Sequence, residues 1–369
     1  MGTNLDIAPV LGLTHDQWIE RAKPLGVRPG YASEIYSRFY RTGSVGPDFA
    51  TPVPRPSRIL TTPSPEGDVH KFLLPVSGMV RASDGSAAEW LTSESVVIPM
   101  MGRARKRHTL CVSSQIGCAM GCGFCETAQM GLVRSLTPDE IVGQWFAARH
   151  HLGHEISNIV FMGMGEPLDN IEAVLQAIRV LTDHRGPALA MSGVSISTVG
   201  RLDGLARLRE QVCSTGWRKL NLAVSINAPN DEIRSRIMPI NRAMPLAELV
   251  RMLEGWPLRS SAAICAEYVL IPTVNDAPEH ADELAALLAG VRCCINVIPY
   301  NPRRNSPWPA PEETAVAAFI DRLREHGAYV KRRRTKGRDT MAACGQLGAA
   351  EIRRRRLVEL GVEGGVKAS

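Results

Sequence analysis

Strand-like and helix-like segments alternate along this chain from residue 108 to residue 332, and this order restricts the fold more than any other feature. The predicted strands lie at 108–113, 157–161, 194–198, 220–226, 266–271, 294–298 and 328–332. The helical patterns between them lie at 138–151, 171–182, 246–255, 279–288 and 312–325. Because parallel strands need crossover helices, the order predicts an α/β fold, either a barrel or a doubly wound sheet. Candidate functional residues follow the strand ends and glycine-rich phosphate loops are missing, which favours a barrel.

Shorter segments surround this predicted core of residues 105–345. Residues 1–50 are expected to form a small helical module, in which Thr14 caps the first helix. Residues 51–104 combine a linker rich in proline and serine with a short β-extension, which contains apolar runs at 71–75 and 95–99. Residues 346–369 are expected to form a basic C-terminal tail with a short helix at 349–360.

The composition is that of an ordinary globular protein. Of the 369 residues, 44% are hydrophobic and 22% are charged. No apolar run reaches the length of a membrane helix, and residues 1–13 lack the pattern of a signal peptide. We therefore expect a soluble cytoplasmic protein that does not bind membranes.

Three cysteines, Cys118, Cys122 and Cys125, lie within one short stretch that follows the first predicted strand of the core. Thiolates are the ligands of iron–sulfur clusters, and a cluster with four irons that takes only three of them has one open iron. The spacing, with Phe124 before the last cysteine, is typical of radical S-adenosylmethionine enzymes. A structural zinc site is disfavoured because His108 is the only histidine nearby.

Positive charge is concentrated in short runs, although the net charge is only +6. The basic residues are Arg103, Arg105, Lys106 and Arg107, then Lys331, Arg332, Arg333, Arg334, Lys336 and Arg338, and finally Arg353–Arg356. Such runs are often solvated faces, but they also suit a polyanion such as nucleic acid. Their position beside Cys111–Cys125 and before Cys344 favours the second interpretation.

Small polar groups follow several predicted strands. Glu166, in the segment 161–167, can accept hydrogen bonds from an ammonium group, and the neighbouring glycines allow a ligand to approach the backbone. The segments 195–200, 223–227 and 298–301 offer hydroxyl and amide groups suited to a ribose, a carboxylate or an adenine edge. Each could also cap a helix or a turn, but the repetition at several strand ends favours a cofactor site.

Three segments, 109–118, 163–167 and 342–347, resemble the radical S-adenosylmethionine RNA adenine methyltransferases, and the likeness extends from about residue 93 to residue 347. That family methylates C2 or C8 of an adenine in 23S ribosomal RNA, and some members act on transfer RNA. The resemblance implies a partial (β/α)6 radical SAM barrel, a [4Fe-4S] cluster held by Cys118, Cys122 and Cys125, and S-adenosylmethionine as cofactor. The residues that it implies for the cofactor are Gly165, Glu166, Ser197, Ser225, Ile226, Asn227 and Asn301.

The resemblance also implies a second set of catalytic residues. Cys344 matches the methyl-carrying cysteine of the family, Cys111 its resolving partner, and Glu94 its proton acceptor. One cofactor molecule would methylate Cys344, and a radical derived from a second would remove a hydrogen atom from that methyl group. The carbon radical would add to the adenine. Cys111 would then attack the Cys344 sulfur, which releases the methylated RNA and leaves a disulfide between the two cysteines.

Cys213, Cys265, Cys293 and Cys294 match no functional position, and we interpret them as small apolar residues. Asn227 stands where the family usually has histidine. The implied partners are RNA and an electron donor such as flavodoxin or ferredoxin, and a monomer is expected. Two alternatives are a radical enzyme acting on a substrate other than RNA, and a non-catalytic RNA-binding relative.

Overall fold

The computed structural model describes residues 8–44, 53–80, 89–100, 107–333 and 345–348. The helices, in chain order, are α1 His15–Ala22, α2 Pro29–Thr42, α3 Glu126–Gln129, α4 Pro138–Phe146, α5 Ile171–Leu181, α6 Leu202–Thr215, α7 Asp231–Ile237, α8 Leu246–Glu254, α9 Pro278–Leu287 and α10 Glu313–Glu325. The strands are β1 Arg58–Thr62, β2 Val69–Val80, β3 Glu89–Met100, β4 Arg107–Cys111, β5 Gln115–Gly117, β6 Leu132–Ser135, β7 Ile156–Phe161, β8 Val194–Thr198, β9 Asn221–Ser225, β10 Ile264–Leu270, β11 Cys293–Pro299 and β12 Val330–Arg332.

The alternation predicted for the core is confirmed. Each predicted strand and helix lies within two residues of its expected bounds, once the π-helical turn Ala147–His151 is counted with α4. Other elements were missed, among them α6, α7 and the short strands β5 and β6. The prediction of a linker is wrong at 58–62, because these residues form β1 and pair with β2. The predicted helix at 349–360 lies outside the described residues.

The chain divides into two compact units. Unit 1 comprises Met1–Ile116, Ser135–Gly163 and Asn170–Val194. Unit 2 comprises Gly117–Arg134, Met164–Asp169 and Ser195–Ser369. The domain boundaries expected from the composition of the sequence remain predictions.

In unit 1, the predicted β-extension leads directly into the first strand of the core. Strands β1, β2, β3 and β4 pair antiparallel in that order, and β4 pairs parallel with β7. The register places Lys71 opposite Val96, and Val96 opposite Cys111. Because directly paired residues share a face of a sheet, Lys71 and Cys111 lie on the same face.

The N-terminal helices pack against the α4 region of unit 1. Thr14 and Gln17 form a reciprocal capping box at the start of α1, as the sequence predicts for Thr14. The Trp18 indole N–H donates to the carbonyl of Ala32 on α2, at 2.9 Å. The ring of Phe39 stacks on that of Phe146, with ring centroids 4.9 Å apart. These helices therefore contribute apolar area to the core of unit 1.

In unit 2, strands β8 to β12 run parallel and lie side by side in chain order. Their side chains alternate between an apolar face and a polar face. On the apolar face, Tyr268 stacks on Phe319 of α10, with ring centroids 5.3 Å apart. The polar face carries Ser195, Ser197, Asn221, Ser225, Cys265, Glu267, Cys294 and Asn296. A closed barrel is usually filled with branched apolar residues, so this polar face favours an open interior that meets water or a ligand.

The contribution of the N-terminal helices to stability can be measured with Phe39→Ala. Phe39 is fully buried, so its truncation should lower the free energy of unfolding by about 3–5 kcal/mol. Tyr31→Ala on the same helix is the matched control, because Tyr31 is 55% exposed and should change the stability by less than about 0.5 kcal/mol. Urea denaturation checks both values. Equal stability of the two variants would contradict the packing described here.

Candidate active site

The three closely spaced cysteines lie on one loop of unit 2, which we call the cysteine loop (residues 117–125). The loop begins at Gly117, which has a φ of +75°, and a β-carbon there would lie 1.8 Å from the carbonyl oxygen of Gly131. Only glycine fits this position. The backbone N–H of Cys118 donates to that same carbonyl at 3.1 Å. This bond fixes the backbone of the first cysteine.

The middle and end of the cysteine loop are held by residues distant in the sequence. The N–H of Gly123 donates to the carbonyl of Ile237 at the end of α7, at 2.9 Å. The Nε of Arg303 donates to the carbonyl of Gly123 at 2.7 Å. The Nε2 of Gln129 donates to the carbonyls of Cys122 and Cys125, at 3.3 Å each. These bonds fix the backbone of the cysteine loop.

The sulfur atoms face an apolar environment. Cys118 and Cys122 are buried and Cys125 is half-buried, and all three belong to one packed cluster with side chains such as Ile237 and Tyr300. Burial, and then the neighbouring thiols, raise the pKa of Cys118 and Cys122. An ion that binds these sulfurs must therefore displace their protons, as thiolate ligation requires.

This donor set fits an iron–sulfur cluster better than a single metal ion. Among the described residues, no group of three or more His, Cys, Asp and Glu side chains could hold one metal ion. The thiolates of a cluster each bind a different iron, so they need not converge on one point. Three neighbouring thiols, two of them buried and one half-buried, are the soft donors that such a cluster uses.

Glu166 lies in unit 2, in the loop after β7. Its two carboxylate oxygens accept the N–H groups of Leu168, at 3.0 Å, and Val199, at 2.9 Å. Burial raises the pKa of Glu166 to about 7, and the backbone hydrogen bonds oppose this rise. The preceding Gly165 has a φ of +98°, a conformation that favours glycine. The loop thus presents a buried carboxylate that a cation would convert to its charged form.

The polar face of unit 2 contains a network that was not predicted from the sequence. The Ser197 hydroxyl donates to one oxygen of Glu267 at 2.7 Å, and Arg333 donates to the other at 3.1 Å. Ser197 is one of the residues implied for the cofactor. The sequence did contain a signal for Glu267, which is the single charged residue within the apolar strand β10.

Ile226 and Asn227 form the turn that follows β9. Asn227 is fully buried with a φ of +57°, a conformation that asparagine adopts more easily than most residues. Its side-chain oxygen accepts the N–H of Val269 at 2.8 Å, and its carbonyl accepts from Asn275 at 2.7 Å. The asparagine that departs from the family pattern therefore ties β9 to β10. Of the other implied cofactor residues, Ser225 lies on the polar face, and Asn301 is buried after β11.

Glu94 and Cys111 lie in unit 1, on the same face of the sheet. Glu94 is two residues from Val96, whose partner is Cys111, so the side chains of Glu94 and Cys111 point to one side. The Nζ of Lys71 lies 2.7 Å from the Glu94 carboxylate, and both side chains are at most 5% exposed. The sequence identified Glu94 but missed Lys71, although a charge in the apolar run 71–74 was the available signal.

Buried amide and hydroxyl groups brace the strands that carry these two residues. The side-chain oxygen of Gln144 on α4 accepts from the Ser95 hydroxyl at 2.7 Å and from the Ser113 N–H at 2.8 Å. The Ser113 hydroxyl donates to the carbonyl of Glu94 at 2.6 Å. The backbone of Glu94 is therefore linked to the end of β4 by a fully buried network.

Cys344 lies outside the described residues, but the segment that follows it is held against α3, the helix that begins directly after the cysteine loop. The carbonyl of Gly345 accepts the N–H of Glu126 at 2.7 Å. The Thr127 hydroxyl donates to the carbonyl of Leu347 at 2.6 Å. Residues 345–348 are thus fastened to α3, the helix that begins directly after Cys125.

Two other expectations from the sequence can be compared with the structure. Cys213 is exposed on α6, so its interpretation as a packed apolar residue is wrong, whereas Cys265, Cys293 and Cys294 are half-buried in strands. Within the described part of the basic runs, Arg332 pairs with Glu313 and Arg333 with Glu267. Arg103, Arg105, Lys106, Arg334, Lys336, Arg338 and Arg353–Arg356 lie outside the described residues. No helix in the described ranges has the length and apolar character needed to cross a membrane.

Comparison with known proteins identifies the family. The probable dual-specificity RNA methyltransferase RlmN 1 of Protochlamydia amoebophila is 41% identical over 336 residues, which cover 88% of this chain and 89% of that protein. The dual-specificity RNA methyltransferase RlmN of Anaeromyxobacter dehalogenans is 39% identical over 339 residues, with 88% and 87% covered. This chain belongs to the RlmN family.

Two further matches support the fold expected for RlmN. Residues 112–288 match the model of the radical SAM superfamily. The crystal structure of a radical SAM methyltransferase from Sphaerobacter thermophilus superposes with a TM-score of 0.78 at 34% sequence identity, covering 91% of this chain and 98% of that one. The α/β radical SAM fold is therefore confirmed. Membership of this superfamily implies a [4Fe-4S] cluster and S-adenosylmethionine as cofactors.

The raised pKa of Glu166 predicts a pH effect on stability. The folded chain holds this proton up to about pH 7, whereas the unfolded chain loses it near pH 4.5. Protonated Glu166 therefore contributes on the order of 3 kcal/mol to the free energy of unfolding. This contribution is fully present below pH 4.5 and is lost as the pH rises through 7. Between pH 5 and pH 8, the cofactor-free wild type should lose more stability than Glu166→Gln in urea denaturation. Parallel pH profiles would contradict this assignment.

The Lys71–Glu94 pair predicts a distinctive double-mutant result. Lys71→Met leaves the Glu94 carboxylate buried without its ammonium partner, which should cost about 3–5 kcal/mol of unfolding free energy. Replacing both residues by methionine removes both charges and should recover most of that loss. Urea denaturation of the single and double variants measures the difference. A double variant as unstable as Lys71→Met would show that the charges are not coupled.

Proposed function

We propose that this chain is a radical S-adenosylmethionine RNA methyltransferase that methylates C2 or C8 of an adenine in 23S ribosomal RNA or transfer RNA. Membership of the RlmN family carries this proposal, because relatives about 40% identical over most of the chain are named RNA methyltransferases. The three neighbouring thiols of the cysteine loop and the buried Glu166 supply the donors that such chemistry needs. An adenine ring carbon at either position is electrophilic, so it cannot attack a methyl sulfonium directly.

In this proposal Cys118, Cys122 and Cys125 hold the [4Fe-4S] cluster. When bound, the cluster supplies the electron that cleaves S-adenosylmethionine to a 5′-deoxyadenosyl radical. Glu166 accepts hydrogen bonds from the ammonium group of the cofactor, whose charge favours the ionised carboxylate. The remaining cofactor contacts are assigned to Gly165, Ser197, Ser225, Ile226, Asn227 and Asn301. The bond between Ser197 and Glu267 orients the serine hydroxyl so that its lone pairs stay available to a ribose or amine donor.

Cys344 is proposed as the residue that carries the methyl group to the adenine. The attachment of residues 345–348 to α3 supports this role, because it fastens the adjacent segment to the helix that follows Cys125. Glu94 is proposed to accept the ring proton, and the Nζ of Lys71, 2.7 Å from its carboxylate, holds that side chain in place. Cys111 is proposed to attack the Cys344 sulfur, so that the bond from that sulfur to the transferred carbon breaks and a disulfide forms.

The basic runs are proposed to contact RNA phosphates, and an electron donor such as flavodoxin or ferredoxin is proposed to supply the reducing electrons. In the described part of these runs, Lys331 keeps an exposed ammonium group 5.4 Å from the Tyr329 ring centroid. Because phosphate contacts release counterions, RNA affinity should fall steeply with salt. A monomer in the cytoplasm is part of the same proposal.

The roles of the two catalytic cysteines can be separated experimentally. Cys344→Ala should abolish adenine methylation while the reconstituted chain still binds about four irons, as a [4Fe-4S] cluster requires. Cys111→Ala should retain RNA attached covalently to the protein, because the release step is lost. Mass spectrometry of adenine methylation, iron analysis and denaturing gels with and without ribonuclease measure these outcomes.

Cys213→Ala is the matched control, since Cys213 is exposed on α6 and belongs to no part of the proposed site. It should leave iron content and methylation unchanged. Methylation by Cys344→Ala would rule out the methyl-carrying role. Failure of the wild type to methylate any RNA adenine, with a full cluster bound, would overturn the proposed substrate.

A further inference from the structure

Arg234 is a buried cation on α7 that neither the sequence motifs nor the proposed chemistry assigns. Its side chain is fully buried. Burial lowers the pKa of Arg234 to about 10, so the guanidinium remains charged at neutral pH. No ion pair among the described residues includes Arg234 within the 4 Å that defines such a pair. A buried charge without a carboxylate partner lowers the stability of the folded chain.

The guanidinium is fixed by neutral acceptors at the carboxyl ends of strands. Its Nη2 donates to the carbonyls of Val199, at 2.6 Å, and Ser225, at 2.9 Å, and its Nε donates to the carbonyl of Ile226 at 3.0 Å. Its Nη1 donates to the side-chain oxygen of Asn241 at 2.8 Å. These bonds set the position and orientation of the charge, but they do not neutralise it.

The charge is held beside the cysteine loop. On α7, the carbonyl of Ile237, about one turn beyond Arg234, accepts the N–H of Gly123 in the cysteine loop. Ile233 and Ile237 also pack in the same apolar cluster as Cys118 and Cys122. Burial raises the pKa of Cys122, and the positive charge of Arg234 opposes this rise because it attracts the thiolate form. Arg234 therefore lies on the helix that is bonded directly to the cysteine loop.

The chemistry of the cluster gives this charge a function. A [4Fe-4S] cluster with thiolate ligands is an anion, and it becomes more negative when it takes up an electron. A fixed positive charge in a medium of low dielectric stabilises the reduced form more than the oxidised form. Net charge and burial are among the factors that set the potentials of these clusters.

We propose that Arg234 is the buried counter-charge of the cluster, a positioning residue that raises the reduction potential of the cluster held by the cysteine loop. The inference rests on the proposed cluster assignment of Cys118, Cys122 and Cys125. It adds a determinant of electron uptake to that site. The hydrogen bonds to Val199, Ser225 and Ile226 keep this charge in place beneath the loops assigned to the cofactor.

A redox titration monitored by electron paramagnetic resonance tests the proposal on the anaerobically reconstituted full chain, without S-adenosylmethionine. Arg234→Gln removes the charge but keeps a side-chain donor. It should make reduction about tenfold less favourable, which for one electron corresponds to a midpoint potential about 59 mV lower. Arg234→Lys keeps the charge and loses most of the hydrogen bonds, so its midpoint potential should remain close to that of the wild type.

Arg236→Gln is the matched control, because it removes the same charge from an exposed position on the same helix. Solvent screens that charge, and the potential should stay unchanged. A wild-type potential in Arg234→Gln with full iron content would overturn the proposal, as would a tenfold loss in Arg234→Lys. If Arg234→Gln does not retain iron, the lysine variant alone decides between these outcomes. A wild-type chain that binds no cluster would instead overturn the proposed function.

Discussion

The polar face of the parallel strands in unit 2 is the constraint on which the proposed cofactor site depends. A parallel sheet in an α/β protein normally has apolar residues on both faces, whereas here the apolar face that packs on α10 through Tyr268 lies opposite a polar face. Serine, asparagine and glutamate side chains on the other face gain nothing from contact with apolar groups. They are stable only where they bond to one another, to water or to a ligand. In the network of Ser197, Glu267 and Arg333, such side chains bond to one another.

Buried charges are stabilised differently in the two units. Lys71 and Glu94 form a neutral pair inside unit 1, so the energetic cost of each charge is offset by the other. In unit 2, Glu166 is stabilised by backbone N–H groups and Arg234 by backbone carbonyls. Backbone dipoles orient such charges without cancelling them. This arrangement suits groups that are to meet a charged cofactor or a metal cluster.

Much of the fold could be predicted because the alternation of strands and helices is a local, periodic pattern. The helices α6 and α7 were not predicted because Gly204 interrupts the pattern of α6 and α7 has only seven residues. Strand β1 was not predicted because prolines and serines surround it. The cysteine loop and Glu166 were accessible because they form contiguous motifs. Lys71, Arg234 and Glu267 act through partners 7 to 70 residues away, and a single sequence carries no sign of such pairings. Asn227 shows the same limit, since its anchoring role follows from its φ and from contacts to β10.

Helix α4 connects the N-terminal helices to the strands that carry Glu94 and Cys111. One side of it meets the N-terminal helices through the contact of Phe146 with Phe39. Its Gln144 bonds to Ser95, next to Glu94 on β3, and to Ser113, two residues after the end of β4 at Cys111. The N-terminal segment is thus not an exchangeable appendage. A truncation or a graft from a relative would change the support of the strands that carry Glu94 and Cys111. Recombination between relatives should succeed best when the N-terminal helices and α4 are inherited together.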